Sequence, residues 1–104
     1  MAEGARKVLV TGSVQARPES IDQLLALSLE HVRRSRTEPG CISHAVHRDV
    51  EDPLRLVFVE EWADRAALLA HFAVPASRAF VKAAAACAVA APSMALYEVD
   101  VLKP

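Results

Sequence analysis

Large side chains are scarce in this chain: one tryptophan, one tyrosine and three phenylalanines stand among 104 residues. A core with so few big anchors has to be tight and built from small residues. The formal net charge is −1, which removes the electrostatic case for nucleic acid or an anionic membrane as partner. Cysteine is limited to Cys41 and Cys87. Two thiols are too few for a disulfide framework and read as reduced, mostly buried groups, with a single bridge between them as the alternative. No apolar run reaches the length of a membrane span, and Met1–Lys7 lacks the hydrophobic stretch of a secretory leader. The expectation is therefore a cytoplasmic protein. P-loop, GxGxxG, GxSxG and zinc-type Cys-pair motifs are missing as well.

Small apolar residues are what the chain has in quantity. Hydrophobic residues make up 53 % of it, with alanine prominent, enough for one packed domain over 1–104 with an ordered core of about 7–103. Lys7–Ala16 alternates like a strand, with Val8, Val10 and Val14 on one face. A helix follows from Ser20, its stripe formed by Ile21, Leu24, Leu25, Ser28, Leu29 and Val32, and it ends near Arg33–Arg36. Glu38-Pro39-Gly40 turns the chain into a second strand, Cys41–Val50. The short polar turn Glu51-Asp52-Pro53 then implies a hairpin to Leu54–Trp62.

That third strand, LRLVFVEEW, is apolar on both sides. Leu54, Leu56, Phe58 and Trp62 share one face, and Val57 and Val59 the other. Asp64 is a suitable N-cap for a helix over Arg65–Phe72. A further helix from Pro75 or Ala76 runs into the alanine-rich Ala83–Ala91 and stops before Pro92, and Met94–Leu102 reads as a last strand. The order β-α-β-β-α-β, with its second helical region broken at Val74-Pro75, predicts an α+β fold. It is the ferredoxin-like split β-α-β arrangement, a four-stranded antiparallel sheet with helices on one face. Helices on one side leave the second apolar face bare, so a homodimer through the open sheet face is expected.

Several landmarks resemble the antibiotic biosynthesis monooxygenase domain family, whose members are dimeric α+β barrels. They are Glu38-Pro39-Gly40-Cys41, the hairpin at Asp52-Pro53, Glu60-Glu61-Trp62, and the series Ala67-Leu68, His71, Arg78 and Phe80. The resemblance spans roughly Val8 to Val101. It implies oxygenation of a quinol, phenol or aromatic polyketide-like molecule without a cofactor, or a related haem-handling activity. Some family positions are not matched. A second histidine after Pro75 is replaced by Ala76. The haem-degrading branch has an Asn where Thr11-Gly12 stands, a Trp near His71 and a ligating His near Val81. The polyketide-oxidising branch has an Asn at Phe58, a Tyr at Leu68 and an Arg near Lys82.

An oxygenase of this kind needs a base, a dry pocket and hydrogen-bond donors to steady a substrate anion. His71 is the best base in the chain, against the alternative of a core histidine. Trp62 offers a flat wall with an N–H donor, or simply caps the core where strand meets helix. Tyr97 shares a face with Val99 and Val101 and offers a hydroxyl, unless it serves core or dimer packing. Phe58, Leu68, Phe72, Arg78 and His44 complete the expected substrate-binding set. His44 and His47 lie three apart on one strand, so they point to opposite faces and exclude a joint metal site. Glu60 and Glu61 alternate in the same way, and whichever points inward needs a partner, with Arg48, Arg55 or Arg78 available. No metal and no cofactor are expected. A non-catalytic dimer that binds a small hydrophobic ligand is the alternative, and a purely structural dimerisation domain a third.

Overall fold

The computed structural model describes residues 6–104 and runs β1(Lys7–Gln15), α1(Ile21–Ser35), β2(Cys41–Arg48), β3(Arg55–Trp62), α2(Arg65–Ala73), α3(Pro75–Cys87) and β4(Ser93–Val99). The strands form one sheet in the order β2-β3-β1-β4, and every neighbouring pair is antiparallel. This is the ferredoxin-like α+β arrangement expected from the sequence.

The starts of α2 and α3 have local causes. Asp64 caps α2 by accepting a 2.8 Å hydrogen bond from the Ala67 amide. Pro75 opens α3 at its first position, so Val74 between the two helices is extended. Gly40 lies at φ 82°, and a Cβ there would run into Ala67; the turn between α1 and β2 therefore requires glycine.

The alanine-rich helix stops four residues short of the expected Ala91. Propensity is overruled by tertiary hydrogen bonds that hold its last carbonyls. The Arg17 guanidinium donates to the Ala86 and Ala88 carbonyls, and the Ser20 hydroxyl donates to the Cys87 carbonyl at 2.7 Å. The Val89 amide then turns away to the Gln15 carbonyl. The last strand is also shorter than the expected Met94–Leu102, because its pairing with β1 ends at Val99.

Register decides what faces the helices. Val8, Val10 and Val14 of β1 point inward with Leu56, Phe58, Glu60 and Trp62 of β3, while Leu24 and Val32 of α1 close over them. On the opposite face Ala45, Val59, Thr11 and Ala95 form a row across all four strands. Val57, Val59 and Leu9 there are only half-buried. None of the described helices lies over that face.

Candidate functional site

One row of the inner face reads His44, Glu60, Val10 and Leu96 across the four strands. It places two buried ionisable groups side by side under the helices. A cavity of about 480 Å³ opens over this row between the sheet, α1 and α3, and extends to Ser93 and Met94 of β4. Its walls are mostly apolar, with Val10, Phe58, Phe72, Phe80 and Ala84 among them, and His31, His44, Glu60 and His71 add ionisable groups.

Three of the four histidines in the chain meet there. His31 comes from α1, His44 from β2 and His71 from α2; all are buried, and one nitrogen from each lies within 4.8 Å of the others. His31 stacks flat on Phe80 at 4.1 Å. His71 leans against the Trp62 indole at 4.6 Å. Each ring is thus held on a face by an aromatic neighbour or on an edge by another imidazole.

Hydrogen bonds fix the roles of the ring nitrogens. The His71 Nδ1–H donates to Glu38 Oε1 at 2.7 Å, since a carboxylate oxygen accepts. That leaves Nε2 with its lone pair free, the arrangement of an oriented general base. Glu38 reaches this point because the Gly40 turn folds back against Ala67 of α2. The Arg34 guanidinium donates to His31 Nδ1 at 2.8 Å and to Ser77 Oγ at 3.3 Å. His44 Nδ1 is buried and has no hydrogen-bond partner.

Burial pushes His31 and His44 down to about 3, helped by the neighbouring histidines and by Arg34; Arg36 adds to the effect on His44. Both rings are therefore neutral across the physiological range. Glu60 moves in the other direction. Burial raises its carboxyl above the ordinary range, opposed by the Trp62 indole N–H that donates to Oε1 at 2.8 Å. Its other oxygen lies 3.5 Å from His44 Nε2. The inward carboxylate is thus partnered by an indole and an imidazole, not by Arg48, Arg55 or Arg78. Glu61 faces the other side, where Lys7 and Ser43 bind it.

The expected site residues divide. His71, His44, Phe58, Phe72 and Arg78 line the cavity. Trp62 is fully buried beneath His71, and Leu68 packs with it against Val8 and Val10; neither lines the cavity wall. Tyr97 pairs with Leu9 on the open sheet face and is half exposed there. Cys41 has its thiol pushed up, by burial first and then by Glu38 and Glu60, so it is not an activated nucleophile.

Four contributors escaped the reading of the sequence: His31, Arg34, Glu38 and Ser77. His31 was detectable in principle, because Leu24, Ser28, His31 and Ser35 repeat at helical spacing and all lie buried on α1. Glu38 was read as part of a turn and of a family landmark, not as a site residue. Its role depends on where α2 packs, which no local pattern states.

Comparison with known proteins adds a family. Residues 7–83 match the family model for antibiotic biosynthesis monooxygenase. The chain is 36 % identical over 75 residues to an uncharacterised protein of Synechocystis sp.; the match covers 72 % of this chain and 51 % of that protein. It thus spans about half the length of this curated relative. A crystal structure described as antibiotic biosynthesis monooxygenase superposes with a TM-score of 0.82 at 33 % identity, covering 92 % of this chain and 99 % of the other. A conserved protein from Methanosarcina mazei Go1 superposes with a TM-score of 0.85 at 22 % identity, over 89 % and 92 % of the two chains, a likeness of fold alone.

Proposed function

Because the chain belongs to the antibiotic biosynthesis monooxygenase family, we propose that it is a cofactor-independent monooxygenase acting on a quinol, phenol or aromatic polyketide-like small molecule. The observation that carries this reading is His71, oriented by Glu38 from behind, in the wall of a mostly apolar cavity. His71 Nε2 takes the phenolic proton, and Glu38 holds the ring in the required tautomer. The resulting anion is the electron source for dioxygen. As the phenolic oxygen becomes a C=O, one oxygen atom of dioxygen stays in the product as a second C=O in place of the single C–H bond on the reacting carbon. The other leaves as water, with the proton that His71 returns. Substrate and dioxygen balance the equation with no added reductant. Phe58, Phe72 and Phe80 exclude water around the ring system, which strengthens the polar contacts of the histidines beside them.

The test is oxygen uptake with a panel of reduced quinols, naphthols and anthrones in the presence of a chelator. Turnover is expected, with a loss of at least about a hundredfold in His71→Ala. No uptake from any substrate, or an unchanged rate in His71→Ala, would refute the mechanism. The position of Trp62 and Tyr97 away from the cavity favours a second reading, a non-catalytic small-ligand-binding protein. Its signature in the same panel is thermal stabilisation without turnover. We further propose that the open sheet face, carrying Leu9, Val57, Val59 and Tyr97, pairs with a second copy to form a homodimer. The described helices include none long and apolar enough to cross a membrane.

A further inference from the structure

The three histidines do more than furnish one base. We propose that His31, His44 and His71 form a binding site for a divalent transition metal ion of the zinc or cobalt type. His44 and His47 point to opposite faces of β2, His44 buried and His47 exposed, so they share no metal. The donors come instead from three different elements. The fold brings these together with one nitrogen each inside a 4.8 Å span.

Geometry puts the cluster close to what such an ion needs. Tetrahedral coordination at about 2.0–2.1 Å per bond separates ligand nitrogens by about 3.3 Å. Closing from 4.8 Å asks less than about 1 Å of movement from each ring. All three donors are imidazoles, which suit zinc, cobalt, nickel and copper rather than magnesium or calcium. His71 already has the supporting contact such ligands use: its Nδ1–H is held by Glu38, which leaves Nε2 as the donor atom. His44 is 98 % buried with Nδ1 unpartnered, a costly orphan that a metal bond would satisfy. Glu60, 3.5 Å from His44, supplies nearby negative charge or a fourth ligand. The open volume of the cavity leaves a coordination position for water or a small molecule.

Arg34 is the element that opposes binding. Its guanidinium occupies His31 Nδ1 and places positive charge beside the cluster. It also reaches Ser77 Oγ, so it can swing onto that hydroxyl when His31 turns to a metal. Arg36 sits further out, donating to the His44 backbone carbonyl. Arg34→Gln removes the charge and leaves an amide oxygen that accepts from His31 Nδ1–H, orienting Nε2 toward the ion. Tighter binding follows. Occupancy also ties up His71 Nε2, so the metal-bound form lacks the free base on which the proposed oxygenation rests.

The experiment is titration of the chelator-treated protein with cobalt(II), followed by its ligand-field absorption and by competition with zinc(II). It reads binding without turnover, so its outcome is independent of whether the protein is an oxygenase. One cobalt per chain is expected, displaced by zinc and not by magnesium or calcium. Affinity should fall at least tenfold in His31→Ala and in His44→Ala, rise at least tenfold in Arg34→Gln and stay unchanged in His47→Ala. Histidine proton resonances of the wild-type protein give a second readout that needs no variant: cobalt should shift or broaden three ring signals and spare His47. Absence of a stoichiometric site, or a cobalt effect centred on His47, would overturn the proposal.

Discussion

Acid should unfold this protein through His31 and His44, and the size of the effect follows from their burial. Each ring is held neutral with its folded value near 3, against 6.5 in the unfolded chain. Between those values the unfolded chain binds two protons that the fold refuses. Stability therefore falls as pH drops from about 6.5 toward 3. One group shifted this far loses about 2 kcal/mol between pH 7 and pH 5, so the two together lose roughly 4 kcal/mol. Glu60 has the opposite sign. Its carboxyl is raised by burial, so the fold takes up that proton more readily than the unfolded chain does. The figure of roughly 4 kcal/mol is thus an upper value. For a small domain worth about 5–15 kcal/mol, such a loss moves the protein near its unfolding threshold. The assay is urea denaturation at pH 7, 6, 5.5 and 5, with the double variant His31→Phe/His44→Leu as comparison. The wild-type midpoint should drop steeply below pH 6, and the variant should show a much flatter dependence. A wild-type midpoint constant to pH 5 would refute the neutral buried pair, and so would an equal slope in the variant.

Two other perturbations probe the neighbouring parts of the fold. Trp62→Phe removes the indole N–H that donates to Glu60 Oε1 in the fully buried layer under His71. It should cost about 1–3 kcal/mol in chemical denaturation and raise the Glu60 carboxyl further, visible by carboxyl NMR titration; an unchanged Glu60 titration would remove the indole from its environment. Val59→Lys places a charge in the middle of the open sheet face, opposite Thr11 and Ala45. Sedimentation should show a dimer for the wild type and a monomer for the variant, and a wild-type monomer would remove the face from consideration as an interface.

How much of this was legible beforehand depends on the kind of signal each residue carries. LRLVFVEEW announced a strand with two apolar faces, because a period of two is written directly in the sequence. The paired strands and the break at Val74-Pro75 followed from turn chemistry in the same way. The end of α3 did not, because alanine propensity is local while the hydrogen bonds from Arg17 and Ser20 that stop the helix come from the connection between β1 and α1. The candidate site failed at the same boundary. His71, Phe58 and Phe72 could be placed on inward faces, whereas the Glu38–His71 bond spans 33 residues and a turn whose packing no pattern records.

The same distinction explains why Trp62 drew attention as a site residue and stands instead beneath one. An isolated large aromatic at a strand end signals burial and nothing about which cavity, if any, it faces. In this fold its ring supports His71, and its N–H steadies Glu60 two residues earlier on the same face of β3. It thereby sets the level of two polar groups without touching the open space. Polar residues on an apolar face carry the stronger functional signal, because each one costs stability unless something satisfies it. Ser28, His31 and Ser35 on the buried side of α1, with His44 and Glu60 on the inner face of the sheet, are such costs. Ser35 is satisfied by its own helix through the His31 carbonyl. The Ser28 hydroxyl and His44 Nδ1 have no hydrogen-bond partner, and the histidine borders the cavity. A chain this poor in large side chains spends interior volume on three imidazoles, and the stability they forfeit is what directs attention to the histidine cluster in the wall of that cavity.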